Sequence, residues 1–90
     1  MSVLMTRSAE MLADSVQNRD DLVQFIQALR ADLRDNPDDW ENTSLDDYLE
    51  AMAAWIDDCD GYYKNTGQPI PKTPSWKMLA DILMAAKMYE

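Results

Sequence analysis

Carboxylate side chains dominate the chemistry available to this chain, which has 17 acidic residues and no histidine. At roughly 100° per residue, Asp46, Glu50 and Asp57 share one face of a helix, and together they could bind one Mg²⁺ weakly. All three lie on a single helix, and no acid-rich match occurs on another one. A solvated acidic face is therefore the simpler interpretation, and we expect no tight metal site and no cofactor.

The run from Asp57 to Gly61 suggests a calcium-binding loop, but its register is wrong. With Gly61 at the sixth position of an EF-hand loop, Ile56 takes the first position and Gly67 the twelfth, and neither side chain can bind calcium. Cys59 lies on an apolar helical stripe, so we expect a buried, inert thiol. The absence of histidine excludes histidine-dependent catalytic triads, and a single cysteine excludes an intrachain disulfide.

The charge of the chain restricts its partners. Lysine and arginine number only 8, which gives a formal net charge of −9 at pH 7. Nucleic acids and anionic membrane surfaces both need a basic patch, so this charge disfavours them. No stretch approaches the roughly 20 apolar residues of a membrane span, and no signal peptide is recognisable, so we expect a cytoplasmic protein. The charge serves either solubility or a basic protein partner, such as a nuclease or a DNA-binding protein.

Aromatic residues beside acidic ones form a candidate partner-binding surface, because tyrosine and tryptophan are enriched at binding hot spots. Tyr62 and Tyr63 follow three aspartates; the alternative is that one tyrosine is core and the other half-exposed. Trp40, in a polar connection, either folds back onto the core or is an exposed recognition residue. The candidate partner-binding residues are Asp57, Asp58, Asp60, Tyr62, Tyr63 and Trp40.

Apolar spacing and capping residues predict four helices, the first of them weak. They are residues 3–17, the stretch between Asn18 and Asn36, Leu45 to Gly61 or Tyr62, and Pro74 or Ser75 to near the end. The expected N-caps of the last three are Asn18, Ser44 and Thr73. The apolar stripe of the second helix consists of Leu22, Ile26, Leu29 and Leu33, widened by Phe25.

The third helix is about half apolar, so we expect it at the centre of the bundle. Its predicted core stripe consists of Leu45, Leu49, Met52, Ile56 and Cys59. An adjacent aromatic stripe consists of Tyr48, Trp55 and Tyr62, and Trp55 is expected to be buried. An acidic ridge on the opposite side consists of Asp46, Glu50, Asp57 and Asp60.

The fourth helix has two apolar sides. Its predicted core face consists of Leu79, Ile82, Leu83, Ala86 and Tyr89. Met84 and Met88 fall on the other side, which one bundle core cannot also cover. We therefore expect a homodimer, or a partner, that covers these two methionines. The competing interpretation is that the N-terminal helix covers them, through Met5, Leu12 and Val16.

Several short motifs carry a resemblance to a protein family. They are Trp40-Glu41-Asn42, residues 48–56, Asp60-Gly61-Tyr62-Tyr63, Pro74-Ser75-Trp76, Ala85-Ala86 and Tyr89-Glu90. Through them, residues from Asn18 onward resemble an uncharacterised bacterial family of small acidic proteins, which implies no activity. The paired tyrosines give a looser likeness to DNase-colicin immunity proteins. Asp46-Asp47-x-x-Glu50 resembles half of the carboxylate cluster of all-α nucleotide pyrophosphohydrolases.

These observations predict an all-α protein, a compact bundle of three strong helices and a weaker N-terminal helix. Residues 1–17 are expected to be a helical extension, and residues 18–90 a single helical domain. The favoured function is non-enzymatic binding of a protein partner through an acidic and aromatic surface, in an immunity-like or regulatory role. The alternative is a small hydrolase with a magnesium-bound carboxylate cluster on the third helix.

Overall fold

The computed structural model describes the backbone of residues 9–89 and the side chains of residues 12–89. Within that part the chain forms α1 (Ala9–Asp14), α2 (Arg19–Asp35), α3 (Leu45–Asn65) and α4 (Trp76–Ala86), and no strand. A short 3-10 turn, Pro37–Asp39, follows α2. The predicted all-α bundle is confirmed. The predicted apolar residue Met5 lies outside the described residues. None of the described helices combines the length and the apolar character needed to span a membrane.

Side-chain caps begin α2 and α3 where the sequence predicts them. Asn18 Oδ1 accepts a hydrogen bond from the backbone N–H of Asp21 at 2.8 Å. Ser44 Oγ accepts one from the N–H of Asp47 at 3.1 Å. Each bond satisfies an N–H group that has no partner inside its helix, so each residue sets its helix start through local chemistry.

The predicted start of α4, at Pro74 or Ser75, is one or two residues too early. Thr73 is not the N-cap; Ser75 is, and its Oγ accepts a hydrogen bond from the N–H of Met78 at 3.1 Å. Both residues are competent caps, but serine is the stronger one. The helix therefore begins at Trp76, two residues after Pro74.

The end of α3 also differs from the prediction, because the helix continues through Gly61 to Asn65. The added turn carries Tyr63, which is buried against α4, and this burial offsets the low helix propensity of glycine. Gly67 follows with a positive φ of 70°, a conformation that glycine adopts without strain. Gln68 N–H then donates to the carbonyl of Tyr63 at 2.9 Å and closes the helix end.

The centre of the bundle is α4 and not α3. α4 packs against each of the three other helices, whereas α3 packs against α4 alone within the described chain. Ala80 and Ala86 have no exposed surface, and their small side chains let neighbouring backbones approach α4 closely. Leu79, predicted to be core, is 38% exposed, because the neighbouring Ala80 takes the central position.

Two hydrophobic clusters form the core. The first contains Ala13, Val16, Phe25, Leu29, Trp40 and Ala80, with Leu12, Leu22, Leu33, Tyr48, Leu83 and Met84 packed against it. The second contains Trp55, Cys59 and Tyr63, with Tyr62, Met78, Ile82, Ala85 and Tyr89 packed against it. The predicted burial of Trp55 and Cys59 is confirmed, and both tie α3 to α4.

Met84 and Met88 differ in their burial. Met84 is half-buried and packs against the first cluster, to which α1 and its flank contribute Ala13 and Val16. Met88 stays 50% exposed. The expected homodimer, or partner, over these two methionines stays a prediction.

The segment after the 3-10 turn fastens the end of α4. The backbone N–H groups of Glu41 and Asn42 both donate to the carbonyl of Lys87, at 3.1 Å each. The side-chain Nδ2 of Asn42 donates to the carbonyls of Ala86, at 3.0 Å, and Tyr89, at 2.8 Å. The last carbonyls of a helix lack internal partners, so this clamp, as we call it, satisfies groups that the helix leaves free.

Asp32 on α2 completes the clamp. Its Oδ2 accepts hydrogen bonds from Trp40 Nε1 at 2.9 Å and from Lys87 Nζ at 2.7 Å, and Asn36 Nδ2 donates to Oδ1 at 3.2 Å. The ammonium of Lys87 also lies 5.5 Å from the centre of the Trp40 ring, within cation–π range. The Trp40-Glu41-Asn42 motif thus joins α2 to the end of α4.

The pKa of Asp32 makes this clamp sensitive to acid. Burial alone raises that pKa, but the hydrogen bonds from Lys87, Trp40 and Asn36 and the charge of Lys87 outweigh it, so the pKa lies below its ordinary value of 3.8. A carboxylate with a lowered pKa stabilises the fold above its unfolded-state pKa, and this contribution disappears as the pH falls through the folded-state value.

We expect Asp32→Asn to flatten the acid branch of the stability curve. In urea unfolding followed by circular dichroism, the wild-type midpoint should fall more steeply than that of the variant between about pH 5 and about pH 3. The control is Asp38→Asn, which removes an exposed carboxylate outside the clamp. Equal slopes for the wild type and Asp32→Asn would contradict a stabilising charge at this position.

Candidate functional site

The stripe predicted to be the core of α3 is largely exposed. Leu45 is 73% exposed, Leu49 51% and Ile56 43%. The buried face is the neighbouring one, on which Trp55 and Tyr63 lie, and Ala51 lets α3 approach α4. Large aromatic rings bury more apolar area than leucine or isoleucine, so the helix turns its aromatic side inward. We call Leu45, Leu49 and Ile56 the apolar stripe.

Acidic side chains flank the apolar stripe. All four residues of the predicted acidic ridge, Asp46, Glu50, Asp57 and Asp60, are exposed. Six of the 21 residues of α3 are acidic, and Lys64 is its single cation. In the described chain no ion pair engages any carboxylate of α3. The outer surface of α3 is therefore an apolar stripe beside uncompensated negative charge.

A groove of about 370 Å³ begins where the stripe ends. Apolar side chains from α2, the 3-10 turn and the first turn of α3 line it: Ile26, Leu29, Leu33, Trp40, Leu45 and Tyr48. Arg30 stands at its edge and is itself exposed. We call this the α2–α3 groove; it shares Leu45 with the apolar stripe, so the two surfaces are continuous. Its volume lies within the range of roughly 300–1,000 Å³ usual for ligand pockets.

The predicted acidic and aromatic residues after Ile56 divide between two sides of α3. Asp57 and Asp60 belong to the exposed acidic ridge. Asp58 is also exposed, and it accepts a hydrogen bond from the hydroxyl of Tyr89, which raises the pKa of that tyrosine. Asp58 therefore pairs with Tyr89, which follows α4.

The two tyrosines follow the core alternative that the sequence left open. Tyr63 is buried, and its hydroxyl donates to Asp81 Oδ2 at 2.9 Å; burial and this bond raise its pKa. Tyr62 is half-buried, with its ring 5.4 Å from that of Trp55. It lines a cleft of about 290 Å³ that Asp14 and Asp81 also border.

Trp40 folds back onto the core. It is a buried member of the first cluster, and its ring lies 6.0 Å from that of Tyr48. Trp40 also lines the α2–α3 groove. Tyr48 donates its hydroxyl to the carbonyl of Leu83 at 2.6 Å, and burial raises its pKa to about 12.

The carboxylates of the alternative hydrolase interpretation are not assembled into a metal centre within the described residues. No group of three or more histidine, cysteine, aspartate or glutamate side chains there could hold a metal ion. Asp81, the buried acid, is engaged by Tyr63 and by Lys77, whose Nζ lies 3.1 Å from its Oδ2. Both partners satisfy this carboxylate, and it ties α3 to α4.

The α2–α3 groove is the feature that sequence reasoning missed. Ile26 was assigned to the core stripe of its helix, but it is 38% exposed and lines the groove. The available signal was the excess of apolar positions on α3, where two adjacent stripes competed for one buried face. A helix that contacts a single neighbour can bury only one of them.

Comparison with known proteins adds a family and no activity. Neither the curated proteins nor the solved structures contain a match to this chain. The model of a family of unknown function, DUF7660, matches residues 18–90, and the resemblance drawn from Asn18 onward is thereby confirmed. The clamp and both stripes of α3 lie within the matched residues, and the chain belongs to this family of unknown function, DUF7660.

Proposed function

We propose that this protein is a non-enzymatic binding protein whose outer α3 surface engages a basic protein partner. The observation that carries the proposal is the exposure of the apolar stripe beside the acidic ridge on α3, whose backbone closely approaches only α4 among the described helices. Exposed apolar side chains rimmed by charged ones are typical of protein-interaction sites.

The charge supports a basic partner over a second copy of the chain. Two copies that met through α3 would bring acidic ridges together, and Lys64 is the single cation that α3 offers. Like charges brought together at an interface cost several kcal/mol. A basic partner instead gains from the net charge of −9, which also accelerates its association. A nuclease or a DNA-binding protein with an exposed cationic face meets these requirements.

Site-specific photo-crosslinking in the native host tests the proposal. Ala53 is exposed on the ridge side of α3, and a photoreactive residue there should yield one discrete adduct with a basic protein. The same residue at Gln24, exposed on α2, is the positional control. Mass spectrometry identifies the adduct.

Charge-reversal variants test whether the partner responds to the acidic ridge or to the net charge of the chain. Asp57→Lys with Asp60→Lys should abolish the adduct, because both remove ridge carboxylates. Asp38→Lys with Asp39→Lys makes the same change in net charge at the 3-10 turn and should leave the adduct intact. Equal effects of the two pairs, an adduct between two copies of this chain, or equal labelling from Gln24 would contradict the proposal.

A further inference from the structure

Most polar side chains that border the α2–α3 groove are already hydrogen-bonded within the chain. Trp40 Nε1 donates to Asp32, and the hydroxyl of Tyr48 donates to the carbonyl of Leu83. Asn42 Nδ2 is taken by the clamp, and Ser44 Oγ caps α3. Thr43 is the remaining uncharged polar residue of the lining, so the groove offers a mainly apolar wall.

This restricts what can occupy the groove. An extended or polyproline segment carries backbone N–H and C=O groups without internal partners, and a mainly apolar lining offers them few hydrogen bonds, so burying them here would cost desolvation energy. Adding a strand requires an exposed sheet edge, and the described residues form no strand. A helix satisfies its own backbone and can present a wholly apolar face.

The charges around the groove indicate which charge the bound helix should carry. The groove opens at Leu45 onto the acidic ridge, whose first member, Asp46, lies in the first turn of α3. Arg30 is the groove's one lining cation, and it donates to Gln27 at 2.7 Å within its own helix. In a chain of net charge −9, a helix with a basic flank is the complementary occupant.

We infer that the α2–α3 groove receives the apolar face of a basic amphipathic helix, with the helix's cationic flank against the acidic ridge. The inference rests on the proposed function and deepens it, since it assigns the secondary structure and the anchoring face of the partner. Ile26 from α2 and Leu45 from α3 are the lining residues that contact the apolar face.

A synthetic peptide of leucine and lysine, about 18 residues long and patterned to give one apolar helical face, is the probe. It should bind the full chain in titration calorimetry and gain helicity in circular dichroism. A peptide of the same composition with alternating pattern has no apolar helical face and should bind at least about tenfold more weakly. Equal binding of both peptides would show that only the peptide's charge matters, and it would overturn the inference.

Three variants with the same added charge locate the binding. Ile26→Lys and Leu45→Lys should each weaken binding of the patterned peptide by about tenfold or more relative to Val23→Lys. Val23 is an exposed apolar residue on α2 that does not line the groove. Leu45 is 73% exposed, so its replacement should cost little stability, which keeps the comparison valid if Ile26→Lys is unstable. Equal effects at all three positions would overturn the groove assignment.

The outcomes separate this inference from the proposed function. If the Ala53 cross-link to a basic protein persists while binding is insensitive to Ile26 and Leu45, the groove assignment fails alone. If the peptide binds through the groove but the ridge variants leave the Ala53 cross-link unchanged, the proposed use of the acidic ridge fails, together with the placement of the cationic flank, and the groove assignment stands.

Discussion

Replacing Trp55 by alanine is expected to lower the free energy of unfolding by about 3–5 kcal/mol, as truncation of a large buried aromatic residue does. Trp55 is 5% exposed in the second cluster, with its ring 5.4 Å from that of Tyr62 and 6.2 Å from that of Tyr63. A chain of this size has roughly 5–13 kcal/mol of total stability. The variant should therefore unfold at much lower urea concentration, measured by circular dichroism.

The matched control is Trp76→Ala, because Trp76 is 42% exposed at the first position of α4. Its loss should cost less than about 1 kcal/mol, since surface substitutions rarely exceed that. Similar midpoints for the two variants would show that the aromatic side of α3 is not the face that joins it to α4.

Replacing Trp40 by alanine is the second large effect we expect, also about 3–5 kcal/mol. The ring is part of the first cluster, and its Nε1 is one of the donors to Asp32. Without the ring, Lys87 also loses the aromatic face 5.5 Å from its ammonium. The loss should therefore loosen the hold of the clamp on the end of α4.

Trp40→Phe separates the contribution of the buried ring from that of the hydrogen bond to Asp32. Phenylalanine keeps most of the buried ring and removes the hydrogen bond to Asp32, so we expect a cost of about 1 kcal/mol in the same urea titration. If Trp40→Phe is as costly as Trp40→Ala, the hydrogen bond and not the ring dominates. If Trp40→Ala is neutral, Trp40 is not a core residue in solution.

Sequence reasoning succeeded where the controlling interactions are local. Asn18 and Ser44 cap their helices through bonds to groups three residues away, and such bonds can be read from adjacent positions. The same holds for the acidic ridge, because a helix places every third or fourth residue on one side.

It failed where two adjacent faces of one helix were both apolar. Periodicity shows that Leu45, Leu49 and Ile56 align, and equally that Tyr48, Trp55 and Tyr62 align. Which stripe is buried depends on the number of neighbours that the helix has, and α3 has only α4. The exposed stripe became visible as a binding surface only after the packing was known.

Local chemistry in the sequence therefore determined the helices, two of their starts and the negative surface charge. Tertiary structure decided that α4 is central, that Met84 packs against the first cluster, and that Trp40 reaches Asp32 and Lys87 across the bundle. It also decided that the apolar stripe of α3 faces outward beside the α2–α3 groove. Caps and stripes involve residues within a few positions of each other, whereas burial depends on which distant segments meet, and periodicity carries no information about that.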